Sequence, residues 1–524
     1  MALKAPADSL KVLNEDCLLQ IFALLRPEGG LQPLSLTCKW IREACLQVLF
    51  ERVYAEIIDV RLRYPRPGLP PSSLWPHIRC ITFVKHLSFA GAVPFWRFVD
   101  GPSESGGADE DSLDRLLPPM PRLQRIIVRK DPRNPRISWP WLHEMISAPT
   151  LRFLELYGRL LDDDDEDRLA HATCNFRPAP LTTLRLIPDY LRPYPRSFPS
   201  EVESLALLLE HLSRTLQTLV VPSEQCASFS LFSRYDWPQL RELCIEGDGA
   251  TAWASPIPLV SALSRMPRLR ILHLKLAQCG GQRPRPIWPP GHDIKALPWP
   301  ELESLTVSWP CAGDRIFEHL PDTLRHLALR CWPRLYVIRR DLVVDEDAPW
   351  LRDAPECVDI LGVLGQCPQR TALRSLDLEF SAATDVEDRE LLKCIPTVFP
   401  HLQELQIYRY CHPKGASPIT VAEISATMAR LTQLRVLRLH LDFERRLFEG
   451  MVGLRRPGRT LADPRAKQVA TRTLLTDPGP SLEYLYFLFS DYSWEVHRLT
   501  RYEDGGMEIH TEFQRTSECG MPYE

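Results

Sequence analysis

The chain has 524 residues, with 63 basic against 67 acidic side chains and a formal net charge of -4. That length exceeds one ordinary core and implies two or three domains or a single elongated repeat array, while 44% hydrophobic and 25% charged residues exclude wholesale disorder. The near-neutral balance gives no reason to expect a nucleic-acid or anionic-membrane binder, and 49 prolines, nearly twice the usual share of roughly 5%, disfavour long helices and wide central sheets.

Residues 1–60 read as three helices. Asn14 is placed to cap the first, whose opening turn carries Glu15 and Asp16, acidic residues favoured at the positive end of a helix dipole. Leu18, Ile21, Phe22 and Leu25 then recur at helical spacing. Arg26-Pro27-Glu28-Gly29-Gly30 ends that helix, a short one follows over Leu31 to Leu36, and a third runs from about Lys39 to Ile58. Three helices in so few residues make a small core that leans on a partner or a neighbouring domain.

This segment resembles the F-box, in which a leucine and an acidic residue precede an apolar helix ending in I-F-x-x-L, a short second helix and a C-[KR]-x-W-type third. The matching residues are Leu13-Asn14-Glu15, Leu18, Ile21-Phe22-Ala23-Leu24-Leu25, Leu34, Leu36 and Cys38-Lys39-Trp40, with Asn14 where the family most often has proline. The match covers about a tenth of the chain. The resemblance implies docking onto the Skp-type adaptor of a cullin–RING ubiquitin ligase, through Leu13, Leu18, Ile21, Phe22, Leu25, Leu34, Leu36, Cys38 and Trp40. It implies also that the rest of the chain selects a protein target.

After a linker over 61–83, the pattern L-x-x-L-x-L returns thirteen times between 84 and 490, at intervals of 22 to 49 residues. It begins at Val84-Leu87-Phe89 and runs through Leu123-Ile126-Val128, Leu151-Leu154-Leu156 and Leu181-Leu184-Leu186 to Leu482-Leu485-Phe487. The closing L-x-L alternation is a strand signal, two residues inward and one outward. Helical stretches lie between: Glu201 to His211, Leu259 to Arg265, Asp314 to Leu320, Val358 to Gly365, Asp385 to Cys394 and Val421 to Leu431. Prolines 121, 149, 238, 267, 300, 400 and 480 each stand two residues before a first leucine, where a helix stops and a strand begins. This α/β alternation is most similar to leucine-rich repeats, and implies an irregular strand–helix solenoid, an open horseshoe rather than a closed barrel. The family's asparagine or cysteine is replaced by Arg159, Asp189, Glu224, Asp248 and Ala277, so the turns should be irregular. In residues 491–524 the alternating runs Trp494 to Arg498 and Met507 to Thr511 flank Glu503-Asp504-Gly505-Gly506 and predict a capping hairpin.

No nucleotide-binding, zinc-protease or nucleophile-elbow motif is present. Cys411-His412 is the sole adjacent Cys-His pair, the acidic run Asp162 to Asp167 lacks calcium-loop spacing, and Gly101 to Asp111 reads as an acidic insertion. Fifteen cysteines without a C-x-x-C pair read as reduced, mostly buried thiols. The run Cys17 to Leu25 is too short to span a bilayer and lacks the flanks of a signal peptide, so an intracellular protein of the cytoplasm or nucleus is expected. No cofactor, metal, nucleic acid or membrane partner is expected, and no enzyme activity. Binding is expected instead at the outward face of the strands, where aromatics and arginines of the type enriched at interface hot spots recur. The candidates are Arg125, Arg129, Phe153, Glu155, Tyr157 and Arg185, then Asp377, Tyr408, Arg438, Tyr484 and Tyr486. Two functions fit: the substrate receptor of a Skp–cullin–F-box ligase, or an interaction scaffold whose N-terminal helices are only a cap.

Overall fold

The structure is a computed structural model and describes residues 15–25, 30–56, 72–84, 120–129, 139–157, 179–187, 199–226, 229–249, 256–278, 285–294, 296–332, 334, 354–368, 372–382, 384–411, 421–441, 464–476, 478–488, 493–504 and 506–515. Leu13, Asn14, Leu87, Phe89, the acidic runs at 101–111 and 162–167, and His412 lie outside them. The chain forms two units, Met1–Leu219 and Val220–Glu524.

The first unit opens with helices α1 (Glu15–Leu25), α2 (Leu31–Ser35) and α3 (Lys39–Leu49). Leu18, Phe22, Leu31, Ile41, Cys45 and Val48 form their shared core. The third helix is shorter than its apolar spacing predicts: the Phe50 N–H bonds the Leu46 carbonyl at 2.9 Å and the chain turns straight into a strand. That strand, β1 (Arg52–Glu56), pairs in parallel with β2 (Cys80–Val84). The sheet therefore begins inside the segment read as helical, and the first repeat strand ends at Val84 rather than starting there. Ile78, Ile81 and Phe83, all fully buried, carry the repeat spacing at this point.

Strands β3 (Arg125–Arg129), β4 (Phe153–Tyr157) and β5 (Thr183–Ile187) continue the unit, with helices α4 (Trp139–Ser147) and α5 (Pro199–Leu212). All pair in parallel and in register, so Val53, Ile81, Ile126, Leu154 and Leu184 stand side by side as one ladder, and Phe83, Val128, Leu156 and Leu186 as a second. β6 (Thr218–Pro222) spans the division between the units.

In the second unit the strands are β7 (Glu242–Asp248), β8 (Ile271–Ala277), β9 (Ser304–Ser308), β10 (His326–Arg330), β11 (Ser375–Ala382), β12 (Glu404–Cys411), β13 (Val436–Leu441) and β14 (Tyr484–Leu488). Between them lie α6 (Ser230–Arg234), α7 (Leu259–Ala262), α8 (Cys357–Gln366), α9 (Asp385–Val398), α10 (Val421–Arg430) and α11 (Pro464–Thr476). The same ladders recur, one of them reading Leu243, Leu272, Leu305, Leu327, Leu376, Leu405, Leu437 and Leu485. Each such leucine is buried, which stabilises by about 1.5–3 kcal/mol per side chain. The predicted helix at Asp314 to Leu320 is a 3-10 helix, Arg315–His319, capped by the Asp314 carboxylate and stopped before Pro321 by the extended backbone of Leu320. β15 (Ser493–Arg501) pairs antiparallel with β14, and β16 (Met507–Arg515) antiparallel with β15, which gives the predicted hairpin. Among the described residues sixteen strands follow chain order in the sheet, with β1 and β16 last at either side; the fold is mixed α/β.

The prolines have a defined role in the repeat. Leu123, Leu151, Leu240, Leu269, Leu302 and Leu482 each donate their N–H to the carbonyl three residues earlier, which places Pro121, Pro149, Pro238, Pro267, Pro300 and Pro480 second in a four-residue turn. Proline fixes the φ that this position needs. Hydroxyls just before a first leucine tie neighbouring repeats together: Thr150 Oγ1 donates to the Leu123 carbonyl at 2.7 Å and Thr323 Oγ1 to that of Leu302 at 2.8 Å. Gly247 has φ +130°, and a Cβ there would stand 2.2 Å from Glu224 Oε2, so the close approach requires glycine. Among the described residues no helix is long and apolar enough to cross a membrane.

Candidate interaction surfaces

In the N-terminal module the expected adaptor-facing residues separate into two groups. Leu18 and Phe22 face inward and are buried in the three-helix core, with Leu25, Leu34, Cys38 and Trp40 packed partly against it. Leu18 and Phe22 are thereby corrected from contact residues to core residues, because the small module has few other side chains to close it. Ile21, Leu24 and Leu36 remain outside, at 37%, 75% and 69% exposure. Ile21 and Leu24, three apart on α1, share one face of that helix.

The six candidates of the first unit come together on three adjacent strands. The Arg125 guanidinium lies 3.7 Å from the centre of the Phe153 ring, its register neighbour, and Arg129 lies 5.8 Å from that of Tyr157. Arg185 Nη1 donates to Glu155 Oε2 at 3.2 Å, which joins β5 to β4. Glu155 is buried while Arg125 and Arg129 are exposed, so the surface charge of this patch is positive. The Tyr157 hydroxyl is held above its ordinary pKa by burial first and by Glu155 second, with Arg129 acting the other way. An arginine stacked on an aromatic ring keeps its in-plane N–H groups free to meet a carboxylate or a carbonyl of a bound chain.

The second unit departs from expectation. Its outward face over β10 to β12 is covered by the chain that leaves β10. Arg334 returns onto the strands, where both its terminal nitrogens bond Asp377, Nη1 lies 3.5 Å from Glu379 Oε2, and the guanidinium stacks 4.1 Å from the Tyr408 ring centre. Glu379 also accepts from the Cys331 N–H at 3.1 Å and from the Tyr410 hydroxyl at 3.0 Å. Burial opposes the charge on Arg334, but Asp377, Tyr408 and Glu379 together hold its pKa well above the ordinary arginine value. On β8, Lys275 pairs with Glu246 at 3.9 Å and lies 5.0 Å from the Trp332 ring centre. Asp377 and Tyr408 are therefore internal partners of Arg334 and not part of an open binding face; their outward direction is as expected, but another segment occupies the space.

Arg438, Tyr484 and Tyr486 stay half-exposed. Arg438 Nη1 bonds Glu404 at 3.4 Å and its guanidinium lies 5.0 Å from the Tyr486 ring centre, with Tyr484 and Tyr486 centred 6.2 Å apart. Trp494 of β15 meets Tyr486 edge-on at 6.2 Å. Trp494 arrives here through the predicted capping hairpin, whereas Arg334 stands in no repeat motif and the sequence carries no signal that would have placed it.

One titration follows from this face. His273 stands between Cys244 and Thr306 in register, with Nε2 3.4 Å from Ser304 Oγ. Burial first, then Lys275, Arg330 and His326, push its pKa from 6.5 down to about 3. The unfolded chain takes up this proton below pH 6.5, whereas the folded chain resists until near pH 3. The contribution is thus complete above 6.5 and is lost as pH falls, by about 2 kcal/mol between pH 7 and pH 5. Urea denaturation at the two pH values should show that loss, and His273→Gln should remove it; equal pH slopes in both proteins would refute the assignment.

The eleven cysteines described with their side chains, from Cys17 to Cys394, are in no disulfide, and burial lifts Cys45 to about 11 and Cys244 to about 12, which keeps both protonated at neutral pH. Among the described residues no three His, Cys, Asp or Glu side chains are grouped to hold a metal ion. No family model matches this sequence, and a search of the curated proteins returns no match.

Proposed function

We propose that the chain is a non-catalytic substrate receptor of a Skp–cullin–F-box ubiquitin ligase, with α1 to α3 docking on a Skp-type adaptor. The observation that carries this reading is a three-helix module that completes its own core yet leaves Ile21, Leu24 and Leu36 exposed. Large aliphatic side chains held outward on short helices suit packing against another helical protein. The repeated strand, turn and helix, with their in-register leucine ladders, support a leucine-rich-repeat-like solenoid as the target-binding part. Its Arg125, Arg129, Phe153 and Tyr157 patch is the best-supported contact surface for a protein substrate. The mechanism is proximity, holding a target lysine near a ubiquitin-loaded enzyme carried by other subunits. No cofactor enters, and the ligase partners would place the protein in the cytoplasm or nucleus.

Co-expression with a Skp-type adaptor tests this. The wild type should co-purify with the adaptor, and Ile21→Glu with Leu24→Glu should lose it, by tenfold or more in affinity on the order expected for two buried aliphatic contacts. Both positions are exposed, so the circular dichroism melt should not move. Failure of the wild type to retain the adaptor would end the ligase reading. A second reading has its own support: α3 packs on the 3-10 helix Ser72–His77 and runs directly into β1, as a cap on an interaction scaffold would. The same co-purification separates the two.

A further inference from the structure

Among the described residues the last strand of the sheet has one neighbour. β16 pairs with β15 and ends the strand order, so its outer row of N–H and C=O groups faces away from the sheet. Edge strands are usually kept apart by charged side chains, lysine above all, by proline, by a bulge or by shortness. β16 runs nine residues, MEIHTEFQR, without proline or lysine, and its charges, Glu508, Glu512 and Arg515, alternate with apolar and polar residues. Its side chains from Met507 to Phe513 are exposed and Gln514 is half-buried, with Met507, Ile509 and Phe513 among the exposed large apolar residues and Phe513 at 67%. Its centre is pinned, because the Thr511 hydroxyl lies 2.9 Å from His497 Nδ1 on β15.

We propose that β16 is a homodimer edge, pairing antiparallel with β16 of a second copy about a two-fold axis at Thr511. The sequence is complementary to itself in that register. Ile509 meets Phe513 of the second copy, His510 meets Glu512, Glu508 meets Gln514, and Thr511 meets Thr511. Each is a favourable cross-strand pair, and the symmetry makes every unlike pair occur twice. Ile509 faces Leu499 across the hairpin, so the new apolar pairs extend a face that already exists. Other registers are worse. Moving the axis to residue 510 sets Glu508 against Glu512, and moving it to residue 512 sets Glu512 against itself. An axis between residues pairs odd with even positions, which turns the Ile509 and Phe513 face of one copy against the charged face of the other. This edge is independent of the adaptor surface and of the target-binding patch.

Light scattering on the full chain tests the proposal. The wild type should approach twice the chain mass of 60.2 kDa with rising concentration, and its β16 amides should be protected from hydrogen exchange. Phe513→Asp should weaken self-association on the order of tenfold or more, through two lost apolar pairs. Glu512→Lys should also weaken it, by setting lysine against His510, and adding His510→Glu should restore it, since opposite charges then face each other in both copies. A wild type that stays at the single-chain mass would overturn the proposal. So would a dimer unaffected by Phe513→Asp and Glu512→Lys, which would place the contact elsewhere.

Discussion

Replacement of Glu379 by alanine is expected to cost about 3–5 kcal/mol of folding stability, within the range for breaking a buried ion pair by removing one partner. Glu379 is fully buried and accepts from three groups: the Cys331 N–H, the Tyr410 hydroxyl and Arg334 Nη1. Alanine would leave all three desolvated with an acceptor missing, at about 1–3 kcal/mol each. The total stays below a simple sum because Asp377 still holds Arg334. Glu379→Gln should cost less, since the amide keeps one carbonyl acceptor and the side-chain volume. Tyr410→Phe, which removes a single hydroxyl, should cost about 1 kcal/mol, and a double-mutant cycle between positions 379 and 410 should give a coupling above 0.5 kcal/mol, as for residues in contact. The comparison is made on urea midpoints. A Glu379→Ala protein within about 1 kcal/mol of the wild type would mean that the returning segment is not held by this network.

The repeat was legible because its physics is local. A leucine that must be buried on every strand recurs in sequence, and twelve of the thirteen motifs, from Leu123-Ile126-Val128 to Leu482-Leu485-Phe487, fall on strands β3 to β14. The exception is informative. Ile78, Ile81 and Phe83 do the same work with other residue types, and the nearby Leu87 attracted the frame instead. β1 escaped notice because its five residues, RVYAE, show one inward-facing apolar side chain clearly and follow a helix without a proline or glycine.

The outward face of the strands was only half legible. Periodicity tells which way a side chain points, so Arg125, Phe153, Glu155, Tyr157 and Arg185 are found together as expected. It says nothing of what folds over that side. Asp377 and Tyr408 point outward as their positions require, yet Arg334 stacks between them and Glu379. The charge that makes a strand face suitable for a partner makes it equally suitable for the chain's own insertion.

Replacing Phe22 with alanine is the second large effect, at about 3–5 kcal/mol. The ring is 1% exposed and sits among Leu18, Leu31, Ile41, Cys45 and Val48. A large domain relaxes around such a cavity and survives; a module with six buried apolar residues has little to spare. Phe22→Ala should therefore raise hydrogen exchange across α1 to α3 while the amides of β9 to β13 keep their protection. If the helices bind an adaptor, this variant and Ile21→Glu both lose it, for different reasons. The first loses the surface because the module no longer holds it in place, and the second keeps the module and spoils the surface. Exchange data on the same samples tell the two apart, and an unaltered exchange pattern in Phe22→Ala would show that the module draws its stability from outside its own core.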